Sequence, residues 1–171
     1  VPNVRDREHL ADAIRQVWAS VWNFRAFEER THAGIDQRQV FGAILIQVGV
    51  DADAAGVLVT RNVFDLADTR SFTINAKRGL GIKVVEGLKV AEQLLFNPDN
   101  SGIKVISRSD DATRLVFDPD GGVRKVPNID MNQPVLSDTR VQQLGSAAQS
   151  LIWCFPPELP LDVEWLFRQN T

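Results

Sequence analysis

The run Leu161-Asp162-Val163-Glu164-Trp165-Leu166-Phe167-Arg168 constrains the fold more than any other segment, because its chemistry alternates almost residue by residue. Successive side chains of a β-strand point to opposite faces, so Leu161, Val163, Trp165 and Phe167 share one face while Asp162 and Glu164 share the other. Such a strand needs an apolar layer on one side only. Its two same-face carboxylates admit two readings. They can hold a hard divalent cation such as Mg²⁺ against phosphates, or they can be the solvated outer face of a half-buried strand.

The rest of the chain supplies partners for that strand. Leu10, Ile14, Val17, Val21 and Phe24 recur at helical spacing, with Trp18 and Trp22 widening the stripe, which predicts one long amphipathic helix from about Asp6 to His32. Asp6 is its expected N-cap and Gly34 its expected stop. The continuous apolar run from Val40 to Val48 reads as a buried central strand. After a polar turn at Asp51 to Ala55, strands are expected at Gly56 to Thr60, Ser71 to Asn75, Ile103 to Ser107, Thr113 to Phe117 and Val123 to Val126. Gly79-Leu80-Gly81 interrupts the pattern before Val84 to Gly87, and Asp118-Pro119-Asp120-Gly121-Gly122 is a strong turn signal. Ser137 or Asp138 can cap a second helix running to about Trp153, ended by Pro156-Pro157. Hairpins with two flanking helices make an α+β chain with a mixed, mainly antiparallel sheet.

Composition narrows the function classes. The 171 residues suffice for a single domain with a real core, and 44% hydrophobic with 24% charged residues is ordinary for a soluble protein. A net charge of -3 gives no electrostatic reason to expect nucleic-acid or membrane-surface binding. No apolar run approaches the roughly 20 residues of a bilayer span. The single cysteine, Cys154, excludes an internal disulfide and fits a reducing cytoplasm; beside Trp153 and Phe155 it reads as core filler. His9 and His32 fall in polar helical surroundings and build no Ser/His/Asp arrangement. No catalytic residue is assigned.

Four segments, in order, carry a resemblance: Ala19-Ser20 through Arg25-Ala26 to Arg30; Ile46-Gln47-Val48-Gly49-Val50 with Ala55-Gly56-Val57-Leu58-Val59-Thr60-Arg61-Asn62; Asn75-Ala76-Lys77-Arg78-Gly79-Leu80-Gly81 through Val84-Val85-Glu86-Gly87; and Leu161-Asp162-Val163-Glu164-Trp165. Together they resemble the nucleotide-binding domain of the phosphoenolpyruvate synthase and pyruvate, phosphate dikinase family, and the resemblance spans about residues 10 to 168. It implies an ATP-grasp-like fold with ATP and Mg²⁺ as cofactors. It assigns Glu164, assisted by Asp162, to Mg²⁺, and the backbone of Gln47, Val48 and Gly49 to the adenine edge. Arg61 is a candidate phosphate contact through its planar fork. Gly79 and Gly81 lack the Cβ that would keep backbone away from a phosphate. Arg25 and Arg30, five residues apart, read as structural anchors near Glu28 and Glu29.

The chain departs from the family where Ile82 follows Gly-Leu-Gly in place of the usual glutamate, which removes a polar group from that position. Lys77, Arg78 and Lys83 make the loop basic, fitting either an anion or solvent. The expectation is a fragment, residues 1–171 holding the second part of the nucleotide-binding domain, inactive alone and partnered by phosphohistidine and pyruvate-binding domains. In the full-length protein it would pass a phosphoryl group from ATP to a carrier histidine and then to pyruvate. The alternatives are a related dikinase with a glucan or small-antibiotic acceptor, or a degenerate interaction module.

Overall fold

A computed structural model describes residues 1–82, 91–156 and 158–168. The chain separates into two compact units, one of Val1–Gly49 with Phe117–Val123, the other of Val50–Val116 with Arg124–Thr171.

The first unit holds two helices, α1 (Arg7–Ser20) and α2 (Phe24–His32), and a 3-10 turn at Gln37–Gln39. Asp6 caps α1 as expected, its carboxylate accepting from the His9 amide at 2.8 Å. The single long helix expected from Asp6 to His32 is corrected to two. Its apolar stripe runs on through Val21 and Phe24, but the Asn23 side chain accepts from the Ala26 amide at 2.8 Å and starts a new helix there. Asparagine competes for backbone groups in this way, and the local cap prevails over the stripe. Gly34, at φ +70, ends α2. Arg30 anchors this end, its guanidinium 5.4 Å from the Trp22 ring centre and its Nε donating to Gln37 at 2.9 Å. Arg25 pairs with Glu29 in solvent, so both arginines are anchors here.

The expected central strand at Val40 to Val48 is also corrected. The segment is irregular and pairs with no strand among the described residues; Phe41 is 89% and Val48 91% exposed. An apolar run records a preference for burial, whereas a strand needs a pairing partner, and pairing is not local.

The second unit is built on a five-stranded sheet in the order β4-β3-β2-β1-β7, antiparallel throughout: β1 (Ala54–Val59), β2 (Phe72–Arg78), β3 (Glu92–Asn97), β4 (Gly102–Ser107) and β7 (Asp162–Phe167). A separate hairpin joins β5 (Thr113–Phe117) to β6 (Val123–Pro127) through the expected turn, with Gly121 at φ +109 and Gly122 at φ +69. β1 starts two residues before the expected strand, β2 continues to Arg78, and β3 was not foreseen. In β3 the alternation is masked by Leu95, an apolar residue on the otherwise polar face.

One face of the sheet carries Leu58, Ile74, Leu94 and Phe96 and is covered by α3 (Asp138–Ile152), whose Val141 and Ala148 complete the core. Ser137 caps α3, and Gly145 lets the helix lie against Phe96: a Cβ there would stand 2.0 Å from the ring. The segment before α3 is fixed by Glu92, fully buried, which accepts from the Val135 and Leu136 amides at 3.1 Å and pairs with Arg108 at 2.5 Å. Cys154 is corrected from core filler to an exposed thiol: α3 ends at Ile152, so the apolar run beyond it leaves the core face, and Trp153 is 90% exposed. Among the described residues, no helix is long and apolar enough to cross a membrane.

Candidate functional site

The face of the sheet opposite α3 carries the candidate chemistry of the second unit. Its outer edge is β7, pinned at its start by reciprocal bonds between Thr60 and Leu161 (the Thr60 amide to the Leu161 carbonyl, 2.9 Å; the Leu161 amide to Thr60 Oγ1, 2.8 Å) and at its end by the Asp53 amide on the Phe167 carbonyl at 2.8 Å. The register then follows: Asp162 lies opposite Val59, Glu164 opposite Val57 and Leu166 opposite Ala55. Val163, Trp165 and Phe167 turn to the core side, with Trp165 and Phe167 ring centres 5.6 Å apart. The alternation read from the sequence is thus realised: Asp162 and Glu164 are both exposed on one face.

Neither carboxylate has an ion pair or a side-chain hydrogen bond among the described residues. Directly opposed residues of antiparallel strands share a face, so three rows cross the sheet beside them. Asp162 leads to Val59, Thr73 and Leu95; Glu164 to Val57, Asn75 and Gln93; Leu166 to Ala55 and Lys77. Lys77 belongs to the strand rather than to a loop. It is buried, with Nζ 3.8 Å from the equally buried Asp111 carboxylate. Sequence reasoning missed this pair because β2 was ended at Asn75; the alternation Phe72 to Arg78 carries the signal.

The other candidate residues separate by position. Gly79, at φ +77, is required by its conformation and by a Cβ position only 2.2 Å from the Leu115 carbonyl oxygen. Its amide donates to the Asp53 carbonyl at 2.7 Å, and the Leu80 amide to Leu115 at 2.9 Å, so both N–H groups are engaged within the protein. Gly81 comes closest to the candidate face, with its Cβ position 3.2 Å from the Ala55 methyl. Ile82 follows it, half-buried; Lys83 and Val84 to Gly87 lie outside the described residues. Gln47, Val48 and Gly49 are exposed in the first unit, off any strand, and Gly49 lies against the Phe117 ring.

Arg61 opens the loop after β1, half-exposed, its carbonyl accepting from the buried Thr73 hydroxyl at 2.8 Å. That loop is set by Asn62 and Asp68. Asn62 accepts from the Phe64 amide at 2.9 Å and donates to Asp68 at 3.1 Å. The Ser71 hydroxyl, the Asn62 amide and the backbone N–H groups of Ser71 and Arg70 hold the Asp68 carboxyl well below the usual carboxylate range. A lowered folded-state pKa makes this contribution complete above the unfolded value near 3.9 and lost as pH falls from there towards the folded value. The urea midpoint gap between the protein and Asp68→Ala is therefore expected to be constant above about pH 5 and to close progressively below about pH 4. A gap unchanged down to about pH 2.5 would refute the role of Asp68.

Comparison with known proteins bears on this geometry. The chain matches the family described as pyruvate phosphate dikinase, AMP/ATP-binding domain, over residues 1–171. It is 28% identical over 171 residues to the prodigiosin synthesizing transferase PigC of Serratia marcescens, covering 98% of this chain and 18% of that protein. It is 29% identical over 165 residues to a rifampicin phosphotransferase of Streptomyces, covering 95% and 18% respectively. With the phosphoenolpyruvate synthase of Pyrococcus furiosus it shares 30% over 94 residues, covering 54% and 11%. The chain thus spans less than a fifth of the length of each of these relatives.

Proposed function

Because the chain belongs to the pyruvate phosphate dikinase AMP/ATP-binding domain family, we propose that the sheet face bearing Asp162 and Glu164 binds ATP as part of an ATP-grasp-type, Mg²⁺-dependent phosphotransferase. The observation that carries this is Glu164 itself, an exposed carboxylate on a pinned edge strand with no partner among the described residues, inside a family defined by nucleotide binding. The donor set suits Mg²⁺, which takes one or two carboxylates and completes its shell with water and substrate phosphates. No group of three or more His, Cys, Asp or Glu residues among the described ones forms an all-protein cage. Glu164 would hold the ion with Asp162 assisting. When bound, it would neutralise charge on the phosphate oxygens.

The chain's own residues supply position. Val57 and Val59 floor the face beside the two carboxylates. Gly81 would be the glycine of its loop to let backbone approach a phosphate, a reading supported by the engagement of the Gly79 and Leu80 amides within the protein. Arg61 follows β1 and offers a guanidinium for phosphate. Gln47, Val48 and Gly49 are exposed residues of the first unit, and their backbone is the proposed contact for a base edge. In the full-length protein the phosphoryl group would pass to a carrier histidine on another domain and then to an acceptor.

The acceptor has two readings. One is pyruvate, in line with the phosphoenolpyruvate synthase relative, and the other a small antibiotic, in line with the rifampicin phosphotransferase relative. Calorimetric titration of the full-length protein with a non-hydrolysable ATP analogue, with and without Mg²⁺, tests the binding proposal. Turnover with pyruvate against a rifamycin distinguishes the acceptors. Binding indifferent to Mg²⁺, or absent, would refute the proposed site.

A further inference from the structure

A hydrogen-bonded line of polar side chains crosses the candidate face and stops one strand short of Glu164. Ser107 on β4, Gln93 on β3 and Asn75 on β2 are joined in sequence: Ser107 Oγ lies 3.2 Å from Gln93 Oε1, and Gln93 Nε2 lies 3.1 Å from Asn75 Oδ1. The same hydroxyl lies 3.2 Å from the Ala91 carbonyl. A hydroxyl has one proton, and each amide can be turned end for end, so the line has two arrangements. In one, the hydroxyl donates to Gln93 and Gln93 to Asn75, which leaves Asn75 both its N–H groups. In the other, the hydroxyl donates to Ala91, and Asn75 donates one N–H to Gln93 and keeps the second. Either way an Asn75 N–H has no partner among the described residues. Val57 alone separates Asn75 from Glu164 in the row, so their Cα atoms lie two strand spacings, about 10 Å, apart on one face.

We infer that Asn75 is a further binding residue of this face, donating its amide N–H to a phosphate oxygen of the metal-bound nucleotide, with Gln93 and Ser107 holding the amide in place. The inference rests on the reading of the face as a nucleotide site. The chemistry selects the ligand group. An amide N–H with no partner among the described residues needs an acceptor, and phosphate oxygens accept without also having to donate. A triphosphate whose metal rests on Glu164 can extend across Val57 to reach it. In the adjoining row Val59 and Leu95 are apolar, and the Thr73 hydroxyl is engaged, donating to the Arg61 carbonyl at 2.8 Å and accepting from the Val63 amide at 3.0 Å.

Asn75→Asp tests this with little change of shape: the new carboxylate still accepts from Gln93 but opposes phosphate. In the full-length protein it is expected to weaken binding of a Mg²⁺-loaded non-hydrolysable ATP analogue and of magnesium tripolyphosphate at least tenfold each. Asn75→Ala, which adds no charge, should weaken both at least threefold. Loss for the ATP analogue alone would place the contact on the sugar or base and overturn the phosphate assignment. Both variants binding within twofold of the unaltered protein, while Glu164→Gln abolishes binding, would overturn the role of Asn75 and leave the site standing. Undiminished binding by Glu164→Gln would overturn the site and this inference with it.

Discussion

Glu164→Gln is expected to remove Mg²⁺-dependent nucleotide binding while leaving thermal unfolding almost unchanged. Two properties of the position separate those outcomes. Glu164 is exposed on the edge strand and has no ion pair or side-chain hydrogen bond among the described residues, so an amide of equal size disturbs no packing and breaks no pair. Surface substitutions of this kind stay within about 0.5 kcal/mol, a shift of at most about 2 °C for a chain of this length. The metal, by contrast, loses a charged oxygen ligand. Removing merely a group that supports a ligand costs about 10–100-fold in affinity, so losing the ligand itself should cost at least about a hundredfold. Calorimetry with an ATP analogue and a melting curve on the same sample read both quantities. Unchanged affinity, or a large loss of stability, would each refute the assignment.

Where the sequence was legible, the signal was local. The alternation of β7, the serine cap of α3 and the Asp-Pro-Asp-Gly-Gly turn of the β5–β6 hairpin all lie within a few residues of what they specify. Asp162 and Glu164 could therefore be placed on one exposed face before any pairing was known. The failures share a different cause. The run from Val40 to Val48 is apolar enough for a central strand, yet what decides its state is a partner strand elsewhere, which no local pattern encodes. The line Ser107, Gln93 and Asn75 was invisible for the same reason: its members lie 14 and 18 residues apart and meet only through β-register. Lys77 reads as part of a basic loop when the strand is ended at Asn75, but β2 runs three residues further, to Arg78, and buries Lys77 beside Asp111. The break between α1 and α2 was at least signalled by Asn23, a residue that caps as readily as it continues a helix.

Gly56→Ala should do the opposite of Glu164→Gln and cost the fold while touching no ligand. Glycine is a poor strand residue, and in an open strand its replacement by alanine would be expected to stabilise by about 0.5–1 kcal/mol. Here β1 is the strand next to the edge, and its residue 56 is enclosed by its neighbours. A Cβ on Gly56 would stand 1.9 Å from the Asn75 carbonyl oxygen of β2 and 2.6 Å from the Trp165 ring of β7. The ring can tilt, although it packs on Phe167. The carbonyl belongs to the backbone of the central strand and cannot move without opening the β1–β2 ladder. Overpacking of buried sites costs about 1–3 kcal/mol and sometimes more, and a clash against backbone belongs at the upper end, so a loss of at least about 3 kcal/mol is expected. Chemical denaturation measures it directly, and a loss under about 1 kcal/mol would show that β1 and β2 can separate cheaply. The same residue explains why the carboxylates stand where they do. With no side chain at Gly56, Trp165 can fold over the core side of β1, and that orientation commits Glu164, its neighbour in sequence, to the open face.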